Sequence, residues 1–239
     1  MAHWSPYDNN GGTSMAVAGS DFAIVAGDTR LSTGYSIYTR SASKIFRISD
    51  RCVLVSSGFQ ADRRMLQKVL HQRHEVYQQQ HNEEMGCEAM AQLLANTLYY
   101  KRFFPYYTFN ALAGLDVNGV GCVYGYDAVG SHERLGYVVH GTGQQLVVPV
   151  LDSQLKAANP LVLPPQPLAT KLSQEEAVDL IKDTFASAAE RDIYTVRALP
   201  PAPPCPPSRL KSPSFASAAE RDIYTVRGPL PLPLQSFTL

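Results

Sequence analysis

Gly11-Gly12-Thr13-Ser14 stands at the head of an apolar run, Met15-Ala16-Val17-Ala18, with Asp28-Thr29-Arg30 and Lys44 following at short range. A threonine hydroxyl is a weak nucleophile until a base takes its proton. A threonine that begins a chain carries such a base in its own α-amine, and a nearby Lys and Asp set the local field. These residue types suit hydrolysis through a covalent intermediate on Thr13, provided that cleavage after Gly12 frees the amine. Asp28 and Lys44 equally suit an ordinary structural ion pair. Residues 13 to 18 read as a strand, in which successive side chains face opposite ways, so the choice turns on which residue faces the lysine.

The 239 residues, 45% hydrophobic, can bury one sizeable core in one domain or at most two. Lys plus Arg and Asp plus Glu number 21 each, and this balance selects neither nucleic acid nor an anionic membrane surface as partner. Met1-Ala2-His3-Trp4-Ser5-Pro6-Tyr7 lacks the basic region and apolar run of a secretory signal, and no apolar stretch approaches the roughly 20 residues that span a bilayer. A soluble intracellular protein is expected. Cys52, Cys87, Cys122 and Cys205 form no CxxC pair, which predicts buried thiols rather than disulfides or a zinc site. His71, His74 and Glu75 lack a third distant ligand and read as a solvated helix face, so no metal is predicted. With no GxSxG elbow and no GxxxxGK[ST] loop, no cofactor is implied.

These residues need elements to hold them. Met15 to Ala18 and Phe22 to Gly27 have the spacing of a hairpin, and Cys52 to Val55 reads as a further strand closed by Ser56-Ser57-Gly58. Met65, Leu66, Val69, Leu70, Val76 and Tyr77 recur at helical spacing, and Met90, Leu93, Leu94, Thr97 and Leu98 repeat the pattern. Strands resume at Thr108 to Leu115 and Val120 to Tyr126, joined through Asn118-Gly119, a strong turn signal. Leu146 to Leu155 predicts a helix that starts near Pro149 or is kinked there. Ser173 and Glu176 form a capping-box pattern before Ala177, Leu180, Ile181, Thr184 and Ala188, which line one face. Strands, two helices, strands, two helices is an α+β order.

Lys101-Arg102-Phe103-Phe104-Pro105-Tyr106-Tyr107, Ala113-Gly114-Leu115-Asp116, Tyr126-Asp127-Ala128-Val129-Gly130-Ser131 and Ala189-Glu190-Arg191-Asp192-Ile193-Tyr194 are family blocks. Through them residues 8 to 195 resemble the beta-type subunits of the 20S proteasome, and in particular the non-catalytic type-1 branch, also called beta-6. The resemblance implies the four-layer αββα sandwich of the N-terminal-nucleophile hydrolases. In active members the nucleophilic Thr lies sixteen residues before the Asp and thirty-two before the Lys. Counted back from Asp28 and Lys44, both spacings land on Gly12, which carries no hydroxyl. Thr13 then sits one residue off, with its hydroxyl turned from the lysine. Asp192 and Thr195 match the Asp and Ser of a further family motif, but Val196-Arg197 replace its glycines. Gly12, Thr13, Asp28, Lys44, Asp192 and Thr195 thus read as a vestigial site with no catalytic residue. Gly141-Thr142-Gly143 falls where relatives place a Ser-Gly-Ser loop, and no role is assigned to Thr142. Phe103, Phe104, Pro105, Tyr106 and Tyr107 read as core or interface packing, because so many aromatics are costly to leave in water.

The carboxyl end departs from the family. Phe185–Arg197 recurs residue for residue as Phe215–Arg227, which reads as a recent duplication or a faulty gene model rather than a tiling repeat. Ten of the 17 prolines follow residue 195. Proline cannot donate to a sheet ladder, so residues 198 to 239 are expected to be largely disordered and a sheet to lack its closing strands. The expected organisation is a short extension over 1–11, a beta-subunit domain over 12–197 and the proline-rich tail over 198–239. The function implied is a structural subunit of the beta ring, partnered by other beta and alpha subunits in cytoplasm and nucleus, in ubiquitin-dependent protein degradation. Two alternatives stand beside it: a threonine endopeptidase processed before Thr13, and a divergent fragment whose PxxP tail binds SH3 or WW domains.

Overall fold

The computed structural model describes residues 5–155, 169–196 and 223–227. Chain order gives the strands Thr13–Ala18 (β1), Phe22–Gly27 (β2), Leu31–Thr33 (β3), Ser36–Thr39 (β4), Ile45–Arg47 (β5) and Cys52–Gly58 (β6). The helices Gln60–His81 (α1) and Cys87–Tyr100 (α2) follow, then Thr108–Leu115 (β7), Gly121–Tyr126 (β8), His132–Leu135 (β9) and Tyr137–Gly141 (β10). Gln144–Gln154 (α3), Gln174–Ala189 (α4) and Ile223–Arg227 (β11) complete the described elements, so the chain is mixed α and β.

Two antiparallel sheets dominate, one in the order β10-β1-β2-β11 and the other β5-β6-β7-β8-β9. Every residue of β1 and β2 is buried, because side chains alternate into two different apolar clusters. Ala16, Ala18, Ala23 and Val25 pack with Val53, Val55, Ala111, Ala113 and Val123 of the other sheet. Met15, Val17, Phe22, Ile24 and Ala26 pack with Val147, Leu151, Ala177, Ile181 and Phe185 from α3 and α4. The outer face of the second sheet does the same with the other helix pair, as Leu54, Leu112 and Tyr126 meet Leu66, Leu70, Met90, Leu94 and Leu98. The cluster between the sheets is built mainly of Ala and Val, which lets the backbones come close. A Cβ at Gly121 would lie 2.0 Å from the carbonyl oxygen of Phe22.

The helix ends follow their local chemistry. Ser173 Oγ accepts from the N–H of Glu176, and the Glu176 carboxylate accepts from the N–H of Ser173, the reciprocal cap that the pattern predicts. Asn82, with φ of 55°, ends α1 in the left-handed conformation. Helix α3 begins at Gln144, five residues before Pro149, and runs through it. The three described cysteines, Cys52, Cys87 and Cys122, are free and buried.

Two expectations need correction, one at His74 and one in the tail. In the aromatic block Phe103 and Phe104 are 94% and 63% exposed and so lie outside this chain's core, which leaves an interface as their expected place, while Pro105, Tyr106 and Tyr107 are half-buried. The turn after α2 carries the two phenylalanines out past the last packed residue, Leu98. His74 is buried, not solvated, although His71 and Glu75 are exposed and face each other at 3.3 Å. Part of the tail is structured, since β11 pairs antiparallel with β2 from Ile223↔Ala26 to Arg227↔Phe22. The pentapeptide holds no proline and is rich in β-branched residues, and Val226 fills a place between the sheets. The PxxP segments at Pro200 to Pro207 lie outside the described residues.

Candidate functional site

The hairpin of β1 and β2 places the acid. Ser14 pairs with Gly27, so the next residue along, Asp28, lies beside Thr13 and donates its N–H to the Thr13 carbonyl at 3.1 Å. The Asp28 carboxylate accepts the Thr13 N–H at 2.7 Å and the Arg30 N–H at 3.0 Å. Lys44 comes from the segment before β5 and is fixed to β6 where its carbonyl accepts from the Ser56 N–H at 3.0 Å. Gly27 leaves room for its stem, since a Cβ there would sit 3.3 Å from the Lys44 Cβ.

Lys44 Nζ lies 3.0 Å from Asp28 Oδ1, with side chains 1% and 0% exposed. The ammonium also donates to the carbonyls of Asp28 at 3.1 Å and Arg30 at 2.7 Å. Burial pushes the Asp28 carboxyl up, and Lys44 with the two N–H donors opposes that push. Bonded on both sides in this way, the pair meets the condition under which a buried ion pair is tolerated.

Position 12 faces this pair and is empty of a side chain. Gly12 has φ of 88°, a conformation that disfavours other residues, and a Cβ there would fall 2.3 Å from Asp28 Oδ1 and 2.5 Å from Lys44 Nζ. The pair therefore occupies the volume that a nucleophile's side chain would need. Thr13 has its hydroxyl in a different network. Thr195 Oγ1 donates to Asp192 Oδ2 at 2.6 Å, so its single proton is committed. In the 2.7 Å contact between the two hydroxyls, Thr13 must then be the donor, and its oxygen accepts the Gly143 N–H at 3.0 Å. The Thr13 nitrogen is a peptide amide donating to Asp28, with no basic lone pair. The Thr13 hydroxyl proton is directed instead at Thr195 Oγ1, itself bonded to the Asp192 carboxylate.

The structure thus brings all six predicted positions together, but as two networks: Gly12, Asp28 and Lys44 in one, and Thr13, Thr195 and Asp192 in the other. Thr142, given no role from sequence, belongs to the second, donating from its hydroxyl to Asp192 Oδ2 at 2.6 Å and from its N–H to the Gly12 carbonyl at 3.0 Å. Gly141, with φ of 105°, makes this approach possible, since a Cβ there would lie 2.0 Å from the Gly12 oxygen. Arg30 reaches the carbonyl of Ile193 and ties the end of β2 to the same loop. Asn10 was also missed. Its Oδ1 accepts the N–H of Gln60, the first residue of α1, at 2.7 Å. A side-chain cap fifty residues away leaves no local pattern to read. Beside Gly12 a cavity of about 230 Å³ opens between Asn9, Ser57, Gly58, Thr142 and Gln144. Among the described residues no group of three His, Cys, Asp or Glu is disposed to hold a metal, and no helix is long and apolar enough to cross a membrane.

The family model described as proteasome subunit matches residues 8–198. A protein of Petunia hybrida named proteasome subunit beta type-1 is 64% identical over 195 residues, covering 82% of this chain and 87% of its own. One of the same name from Arabidopsis thaliana is 64% identical over 194 residues, covering 81% and 87%. In Dictyostelium discoideum the figure is 50% over 190 residues, with 79% of each chain covered.

Proposed function

The chain belongs to the proteasome subunit family, and from that premise we propose that it is a non-catalytic type-1 beta subunit of the 20S core particle. In this reading it forms wall in a seven-membered beta ring, against an alpha ring and a second beta ring, in cytoplasm and nucleus, while neighbouring subunits cut the substrate. The two sheets with a shared Ala and Val cluster, each carrying a helix pair on its other face, support the four-layer αββα sandwich of the N-terminal-nucleophile fold. The exposure of Phe103 and Phe104 supports a place for that block at a subunit contact, where their apolar surface would leave water.

One observation carries the non-catalytic reading: the buried Asp28–Lys44 pair fills the space next to Gly12, where a nucleophile would stand. What remains is framework, since the pair locks β2 to the segment before β5. The test is to expose core particles containing this chain to a threonine-directed covalent inhibitor and to map the adducts by mass spectrometry. Adducts are expected on other subunits alone. An adduct on Thr13 with a free α-amine would overturn the reading.

A further inference from the structure

Three thiols meet on the outer face of the second sheet, away from the candidate site. Cys52 opens β6 and Cys122 lies in β8, and both stand opposite Gly114 of β7, which sets the three residues in one row with their side chains on the face that α1 and α2 cover. The glycine leaves a hollow in the middle of the row. Cys87, the first residue of α2, fills it with its thiol: a Cβ at Gly114 would lie 2.8 Å from Cys87 Sγ and 3.2 Å from Cys52 Sγ. Cys87 is thereby within hydrogen-bonding reach of both other thiols, whereas Cys52 and Cys122 stand two strand spacings apart, roughly 9.5 Å, beyond what a disulfide spans.

In the closed structure these thiols stay protonated. The bond with Cys122 favours the Cys87 thiolate, but the bond with Cys52 and burial outweigh it and push the Cys87 thiol up, and the bond with Cys87 and burial do the same to Cys122. The cover over Cys87 is a single helical turn. Gly86, Glu88 and Ala89 are exposed, a Cβ at Gly86 would meet open space, and Gly86 at the N-cap offers no side-chain bond to the N–H groups that begin the turn. A turn held this weakly opens at little cost, and opening brings Cys87 into water while Cys52 and Cys122 stay fixed in the sheet.

We propose that Cys87 is a site of oxidation by hydroperoxides, and that Cys52 or Cys122 resolves the product into a disulfide that staples α2 to the second sheet. The Cys87 thiolate attacks one peroxide oxygen and the O–O bond breaks. The sulfur, oxidised by two electrons, becomes a sulfenic acid, and the other oxygen leaves as hydroxide and takes up the proton that the thiol released, giving water. On closure a neighbouring thiol attacks the Cys87 sulfur, the S–O bond breaks, and the hydroxyl departs with that thiol's proton as a second water. The third thiol stays reduced and can exchange into the disulfide through Cys87. The proposal goes beyond the non-catalytic reading and does not depend on it.

Treating the purified full-length chain with hydrogen peroxide in native buffer tests it, with remaining thiols then blocked by iodoacetamide and disulfides mapped by peptide mass spectrometry. Cys87 should be found bonded to Cys52 or to Cys122. Cys52→Ala and Cys122→Ala should each keep a disulfide from Cys87 to the partner that remains, and Cys87→Ala should lose it altogether. With Cys52→Ala and Cys122→Ala combined, dimedone should label Cys87, because no neighbour is left to resolve its sulfenic acid. The map of the parent chain decides the matter by itself should a variant fold poorly. Reduced Cys87 in the treated parent chain, a disulfide between Cys52 and Cys122, or Cys87 bonded to Cys205 alone would overturn the proposal.

Discussion

Replacing Lys44 by alanine removes the ammonium from a pair in which both side chains are buried, so no solvent screening softens the loss. Asp28 is left charged in the interior with the N–H groups of Thr13 and Arg30 as its remaining donors, and the carbonyls of Asp28 and Arg30 lose Lys44 Nζ. Breaking one side of a buried ion pair costs about 3 to 5 kcal/mol. The surviving N–H donors argue for the lower half of that range, and a loss of about 3 kcal/mol in a domain of this size lowers Tm by roughly 10 °C. Circular dichroism melts of the purified chain measure it. Asp28→Asn combined with Lys44→Met should recover more than half of the loss, because removing both charges leaves neither stranded. In assembled particles Lys44→Ala should leave every peptidase rate nearly unchanged. A Tm shift under about 2 °C would refute the structural account of the pair. A selective loss of one cleavage specificity would refute the non-catalytic one.

Phe104→Ala should leave the melting of the isolated chain unchanged, because the ring is 63% exposed, yet reduce incorporation into particles as scored by native gel; normal incorporation would show the block is dispensable. Burial holds the His140 imidazole below its ordinary pKa, so the unfolded chain takes up the proton first and stability falls as pH drops below about 6.5. His140→Gln should therefore show a smaller fall in Tm between neutral and mildly acidic pH than the parent chain, and equal falls would count against this. Val226→Asp, which puts a carboxylate between the sheets, should abolish amide protection across Ile223–Arg227 in hydrogen exchange, whereas Tyr224→Asp, two residues along on the same face but 44% exposed, should not.

What was legible followed from length and burial. β1, β2 and β6 to β8 are long or wholly apolar, and α1, α2 and α4 repeat at helical spacing, so their own residues announce them. β3, β4, β5 and β9 have three or four residues each, exposed or half-buried for the most part, and owe their pairing to neighbours rather than to a local pattern. The site divides in the same way. Asp28 and Lys44 stood out by spacing, but the contact of Thr142 with Asp192 joins residues fifty apart and exists only in the folded chain. The duplicated segment shows the limit most directly, because one sequence, Ile-Tyr-Thr-Val, takes two forms. At 193–196 the Asp192 carboxylate at the end of α4 binds the Tyr194 N–H and the Thr195 hydroxyl, which coils the backbone into the site. At 223–226 the edge of β2 supplies ladder partners and a gap between the sheets takes Val226, and the same residues extend. Propensity permits both forms, and the hydrogen-bond partner within reach decides between them.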